Sequence, residues 1–246
     1  DQIPTLLGGD GKTFRSSLSD FLFAALFRQV DEEDIIREAT AQVQRLQRAG
    51  IDVTHIDTHK HTHILPSVAR ALLFVAERCG ISAIRNPFEE PWSLSIGHAD
   101  PLRRLQLKIL APLRKRFEAL SPIRNHDILT TSGTLGISAT GRLDEPTLRA
   151  LIAAMPEGLW ELVCHPGYND RHLDTITTRL RATREIELRA LLNVFSNTHP
   201  PQSSTTIEDS PQPSAPQLIN YGNIGNAGLL RELGQFTPNT GHEHIL

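Results

Sequence analysis

Residues 54–66 read Thr54-His55-Ile56-Asp57-Thr58-His59-Lys60-His61-Thr62-His63-Ile64-Leu65-Pro66. In extended backbone successive side chains point to opposite faces, so His55, Asp57, His59, His61 and His63 share one face and Thr54, Ile56, Thr58 and Lys60 the other. Imidazole is a good ligand for zinc and related divalent ions, and a carboxylate two residues away can either ligate or hold a histidine in its tautomer. The competing reading is a polar, solvated loop or a fortuitous His-rich tract. Against it stands the setting: an alternating run over 51–57 predicts a strand before the cluster, and an amphipathic helix is predicted after it over 66–79, closed by Gly80.

Working outward, a short strand is predicted at 81–85, completing a strand, helix, strand rhythm. Upstream, 18–30 reads as a helix, and 31–49 as another, with Asp31, Glu32, Glu33 and Asp34 at its start, Arg45 and Arg48 near its end and Gly50 beyond. Downstream, 100–119 is helical in pattern, and Pro112 is expected to kink or break it. A glycine-rich stretch over 132–141 precedes a helix at 145–155, an apolar strand at 159–164, a charged helix at 175–192 and a last strand at 218–221. Arg181, Glu185 and Arg189 stand at i,i+4 spacing and read as a solvated face. Residues 197–216 are rich in Ser, Thr and Pro and read as a surface insertion, and the tail from 226 to 246 is weakly patterned. Alternating strands and helices favour a parallel sheet or α/β barrel with functional groups at the C-terminal ends of strands, where the His cluster falls.

The chain has 246 residues, 39% hydrophobic and 22% charged, which suits one domain, taken as 1–225, with a sizeable core. A formal net charge of -3 with both signs interspersed argues against a nucleic-acid partner. Cys79 and Cys164 cannot build a disulfide framework and fit no Cys-based zinc motif, so a reduced, cytoplasmic setting is expected. The apolar run 21–27 is too short to span a bilayer and lacks the flanks of a signal peptide. It is expected to be a buried helix, with contact to a lipid or a partner as the minor reading. The first residue is Asp1, not Met, from which the natural start is expected to be absent.

A second motif, Glu161-Leu162-Val163-Cys164-His165-Pro166-Gly167-Tyr168, carries a histidine out of a strand into a Pro-Gly turn, where it could protonate a leaving group; alone, such a histidine is more often a surface or structural residue than a catalyst. Taken together, the residues Thr54 to His59 with His61, His63 and Pro66, Ile84-Arg85-Asn86-Pro87, Glu161 to Tyr168, and Leu218-Ile219-Asn220-Tyr221-Gly222 resemble the YdjC-like carbohydrate deacetylases, relatives of the NodB-type polysaccharide deacetylases. The resemblance runs from about residue 3 to about 222, interrupted by the Ser/Pro-rich segment.

The resemblance implies a distorted (β/α) barrel, TIM-like, that removes an N-linked acetyl group from an amino sugar with a divalent metal, Mg2+ or Zn2+. By motif, His59 is implied as the metal ligand and His165 as the general acid. Arg85 is implied to orient the site or the carboxylate base, His61 and His63 to ligate or touch substrate, and Asp57 to support the imidazoles. The implied substrate is a chitooligosaccharide-like glycan or a glycolipid-linked N-acetylglucosamine, such as a glycosylated hopanoid, with no transmembrane segment and with a homodimer admitted. The family's Asp-Asp-Phe-Gly strand and Gly-Leu-His segment, which supply further metal ligands and the base, have no counterpart here. Residues 2–14 resemble the stretch that family members carry after the Gly-Leu-His segment, and Asp1, Asp10 and Asp20 do not replace the absent acids. Two accounts stay open: a fragment of an active deacetylase, or a truncated, inactive homologue retaining carbohydrate binding. Another metal-dependent hydrolase on an α/β barrel, an amidohydrolase or phosphoesterase, is the remaining alternative.

Overall fold

The computed structural model describes residues 2–97, 101–175, 178, 180–195 and 217–218. They form two compact units: Asp1–Arg85 with Leu113–Thr130, and Asn86–Pro112 with Thr131–Leu218. In the first, α1 (Leu18–Leu26) begins at Ser17, whose hydroxyl accepts the Asp20 N–H, and stops where Arg28 takes a left-handed φ of 56°. The helix expected over 18–30 is therefore shorter, and it is not buried as expected. Ala24 is buried while Phe23, Leu26 and Phe27 are exposed. A run that is apolar all round can turn only one stripe inward when it packs on a single side.

α2 (Glu32–Arg48) matches its sequence signals closely. Asp31 caps it by accepting the Glu33 N–H, its acids and arginines complement the helix dipole, and Gly50 follows the C-cap Ala49 at φ 79°. α3 (Pro66–Cys79) has Pro at its first turn and Gly80 in the left-handed region beyond its end. α2 and α3 pack together, and Val68, Ala69, Leu72, Leu73, Val75 and Ala76 of α3 are buried. Beside them β1 (His55–Ile56) pairs in parallel with β2 (Ala83–Ile84), with His55 opposite Ala83. Leu129 bridges to Ala83 on the other side. Both strands are shorter than the expected 51–57 and 81–85.

In the second unit α4 (Pro91–Ile96) leads to α5 (Pro101–Glu118), inside which the division between the units falls. Of the kink or break expected at Pro112, a break does not occur: α5 is continuous through it. A proline withholds one N–H from the ladder, and the bonds to either side carry the helix on. α6 (Ser121–Arg124) lies in the first unit. Back in the second, β3 (Gly133–Leu135), β4 (Leu159–Leu162) and β5 (Gln217–Leu218) form a parallel sheet in that order. β3 lies in the glycine-rich stretch that sequence patterning left without a strand. Its glycine is a packing device: a Cβ on Gly133 would stand 2.9 Å from the Trp160 ring.

α7 (Glu145–Ala153), capped by Asp144, packs on α8 (Ala182–Phe195) around Leu143, Leu148, Leu151 and Ala190. Trp92 and Trp160 meet edge to face at 5.6 Å. The charged helix expected from 175 begins only at Ala182, and Arg171–Thr175 is a 3-10 turn. Strands number two in one sheet and three in the other, all parallel, and no closed barrel exists among the described residues. Closure requires every strand to be paired on both sides. The expected barrel therefore reduces to a mixed α/β architecture of helices with short parallel strands. The 197–216 insertion, residues 219–221 of the last expected strand and the tail lie outside the described residues. Among those described, no helix is long and apolar enough to cross a membrane.

Candidate active site

β1 ends after Ile56, and the alternation on which the histidine face was read ends with it. His59–Ile64 is a 3-10 segment in which Lys60 (φ 53°) and His61 (φ 57°) are both left-handed. The five side chains therefore do not share one strand face. For L-residues this conformation costs about 1–2 kcal/mol per residue, so neighbouring structure must impose it.

Thr58 and His63 impose it. The Thr58 Oγ1 accepts the His63 N–H at 3.2 Å and lies 2.6 Å from His63 Nδ1, while His63 Nε2 lies 3.0 Å from the Arg85 carbonyl oxygen. A carbonyl only accepts, so Nε2 carries the proton and Nδ1 accepts from the Thr58 hydroxyl. His63 is 0% exposed, and its ring lies 6.2 Å from that of Phe117. Burial pulls its pKa down to about 4, against the opposing pull of the Asp57 charge and the Arg85 carbonyl bond. Both ring nitrogens are thus committed within the protein, and His63 staples the turn to the residue after β2.

Asp57 leaves β1 beside Arg85, whose guanidinium pairs with its Oδ2. Its Oδ1 accepts the Thr58 N–H at 2.7 Å and lies 3.9 Å from His61 Nδ1. His55 Nδ1 lies 3.1 Å from the Thr54 hydroxyl. His59 opens the 3-10 segment and is exposed. The structure thus brings Asp57, His61, His63 and Arg85 together around one turn, with His59 at its outer edge. A catalytic zinc takes about three protein donors. Among the described residues no three His, Cys, Asp or Glu side chains gather to hold a metal. His63 is satisfied internally and Asp57 is engaged by Arg85, so these residues do not by themselves make a metal set.

His165 belongs to the second unit, just beyond β4, with its side chain 34% exposed. Its backbone N–H donates to Glu187 Oε2, and its Nδ1 stands 3.9 Å from the same oxygen. Glu187, on α8, is 1% exposed. Sequence reasoning passed over Glu187 and Thr58. For Glu187 a signal existed: it is out of register with the solvated Glu185–Arg189 pair and in helical register with Ala190, Leu191 and Val194, which pack into the core. A lone acid in an apolar row needs a partner. For Thr58 nothing in the local pattern marks the hydroxyl, because its partner is the His63 ring, whose orientation is set in turn by the Arg85 carbonyl.

A family model described as YdjC-like protein matches residues 1–194. Among individual proteins, the chain is 36% identical over 198 residues to a carbohydrate deacetylase of Brevibacillus brevis, covering 78% of this chain and 66% of that one. It is 27% identical over 173 residues to a carbohydrate deacetylase of Homo sapiens, covering 67% of this chain and 52% of the relative. The chain thus spans from about half to just under two thirds of the length of these relatives. Both the histidine turn and the strand-end His165 fall within the matched span, and the chain belongs to the YdjC-like family.

Proposed function

We propose that this chain carries catalytic machinery of a carbohydrate N-deacetylase, which hydrolyses the acetamido group of an N-acetylated amino sugar to acetate and a free amine. The observation that carries the reading is the family match over residues 1–194, which takes in both histidine motifs. In such a hydrolysis water adds to the acetyl carbonyl, the C–N bond breaks and the nitrogen leaves with a proton. His165 is the group we assign to deliver that proton. Arg85 orients the Asp57 carboxylate, and Asp57 in turn supports His61. The buried His63 holds the turn that presents His59.

The reading includes a divalent metal, Mg2+ or Zn2+, to which exposed His59 contributes one imidazole and to which further donors must come. The substrate in this reading is a chitooligosaccharide or a glycolipid-linked N-acetylglucosamine. Exposed Phe23 of α1 and Phe27 at its C-cap, whose rings stack at 6.3 Å, favour the lipid-linked form.

The test is acetate release from N-acetylated chitooligosaccharides by the natural full-length protein, its His59→Ala variant, and both after chelation and readdition of each metal. Metal-restored release in the wild type and none in the variant is the expected outcome. Near-normal activity and metal content in His59→Ala would remove His59 from the metal. Phosphate release from a phosphoester with no acetate from any N-acetylated glycan would replace the deacetylase with another hydrolase.

A further inference from the structure

Glu187 is a buried carboxylate that the chemistry above does not use. It sits on α8 in register with apolar residues of the second unit's core, where a leucine or methionine would pack without desolvation cost. Each of its oxygens accepts a backbone N–H. Oε1 accepts the Gly141 N–H at 3.3 Å, and Oε2 accepts the His165 N–H. The same Oε2 faces His165 Nδ1 at 3.9 Å. That nitrogen is buried and has no hydrogen-bond partner among the described residues. Since a third of the His165 side chain is nevertheless exposed, the solvent-facing part of the ring is an edge other than Nδ1.

We propose that Glu187 is the positioning residue of His165: its carboxylate holds the turn through the His165 amide and takes the ring's Nδ1–H, leaving Nε2 as the nitrogen that handles the transferred proton. Oε2 stands about 1 Å beyond hydrogen-bond distance from Nδ1, and the proposed bond requires that gap to close. The bond commits the neutral ring to the Nδ1–H tautomer. In the proton transfer Nε2–H of the imidazolium gives its proton to the departing nitrogen, and the ring returns to that same tautomer without turning. The inference rests on reading His165 as the proton donor, and it deepens that reading by naming the nitrogen.

A carboxylate that only anchored the turn through backbone N–H groups would lose one of its two bonds on replacement by glutamine, which keeps a single acceptor oxygen, but would leave the tautomer of the ring unchanged. The decisive measurement is long-range 1H–15N correlation on the uniformly 15N-labelled full chain, at a pH where the His165 ring is neutral, with His165→Asn supplying the assignment. The expected result is a wild-type Nδ1–H tautomer that shifts toward Nε2–H in Glu187→Gln. A wild-type Nε2–H tautomer overturns the proposal, without reliance on any Glu187 variant folding. So does a Glu187→Gln spectrum with an unchanged tautomer. Turnover is read separately in the natural full-length protein. Glu187→Gln is expected to lower kcat by about tenfold or more with KM nearly unchanged, as for other residues that orient an imidazole. If His165→Asn retains full turnover, the proton-donor reading fails on its own, whatever the tautomer shows.

Discussion

His63 is a histidine whose chemistry is structural. With its folded pKa near 4 against an ordinary histidine value of 6.5, the fold refuses a proton that the unfolded chain accepts. Above the unfolded value the contribution of the neutral ring is fully present. As pH falls from 6.5 toward 4 it is lost, by up to about 3 kcal/mol at the lower end. Urea unfolding of wild type and His63→Gln across this range checks it: the stability advantage of the wild type is expected to shrink steadily with acidification. A pH-independent difference would mean that the ring is not held neutral. For His165, replacement by Asn in the natural full-length protein is expected to reduce turnover by about 10²- to 10⁴-fold with metal content unchanged. A destabilised variant with full rate per folded molecule would make it a turn anchor. Candidate residues at this scale were legible because histidine and carboxylate side chains advertise their chemistry. Which of them had been spent on internal bonds was not, since the carbonyl that fixes His63 belongs to Arg85, far along the chain.

At the scale of elements, the 3-10 turn after β1 holds Lys60 and His61 in left-handed backbone. Lys60→Gly relieves a left-handed residue and is expected to leave stability unchanged or slightly higher. Lys60→Ile places a β-branched side chain there and is expected to cost about 1–2 kcal/mol in thermal or denaturant unfolding. Equal stabilities of the two variants would show that the turn is not left-handed in solution. Gly136, at φ 88° just beyond β3, is a sharper case. A Cβ there would stand 2.5 Å from the Val163 carbonyl oxygen. Gly136→Ala is accordingly expected to destabilise by more than about 2 kcal/mol. For α1, a lipid-linked substrate predicts that Phe23→Ser with Phe27→Ser slows acetate release from a lipid-linked sugar and leaves the soluble substrate untouched. Comparable losses on both, or on neither, count against that substrate.

At the scale of the whole molecule, each compact unit holds buried residues of its own, with Leu73 of α3 in one and Leu151 of α7 in the other. Truncating either to Ala removes a fully packed side chain and is expected to cost about 2–5 kcal/mol, read as a lowered denaturation midpoint. The sequence by itself determined what short-range physics controls. α2 and α3 could be bounded within a residue or so, because acids, arginines, a first-turn proline and terminal glycines act within one helical turn. The apolar β4 segment and the two histidine motifs were equally open to reading. What only the tertiary structure decided depends on partners distant in sequence. The strand at 51–57 was reduced to two residues because only His55 and Ile56 find β2 as a partner. A strand emerged at Gly133 because β4, distant in sequence, pairs with it and sets Trp160 opposite Gly133. Glu187 acquired a purpose only when α8 was laid against the turn that carries His165, because a buried charge takes its meaning from whatever the fold brings to it.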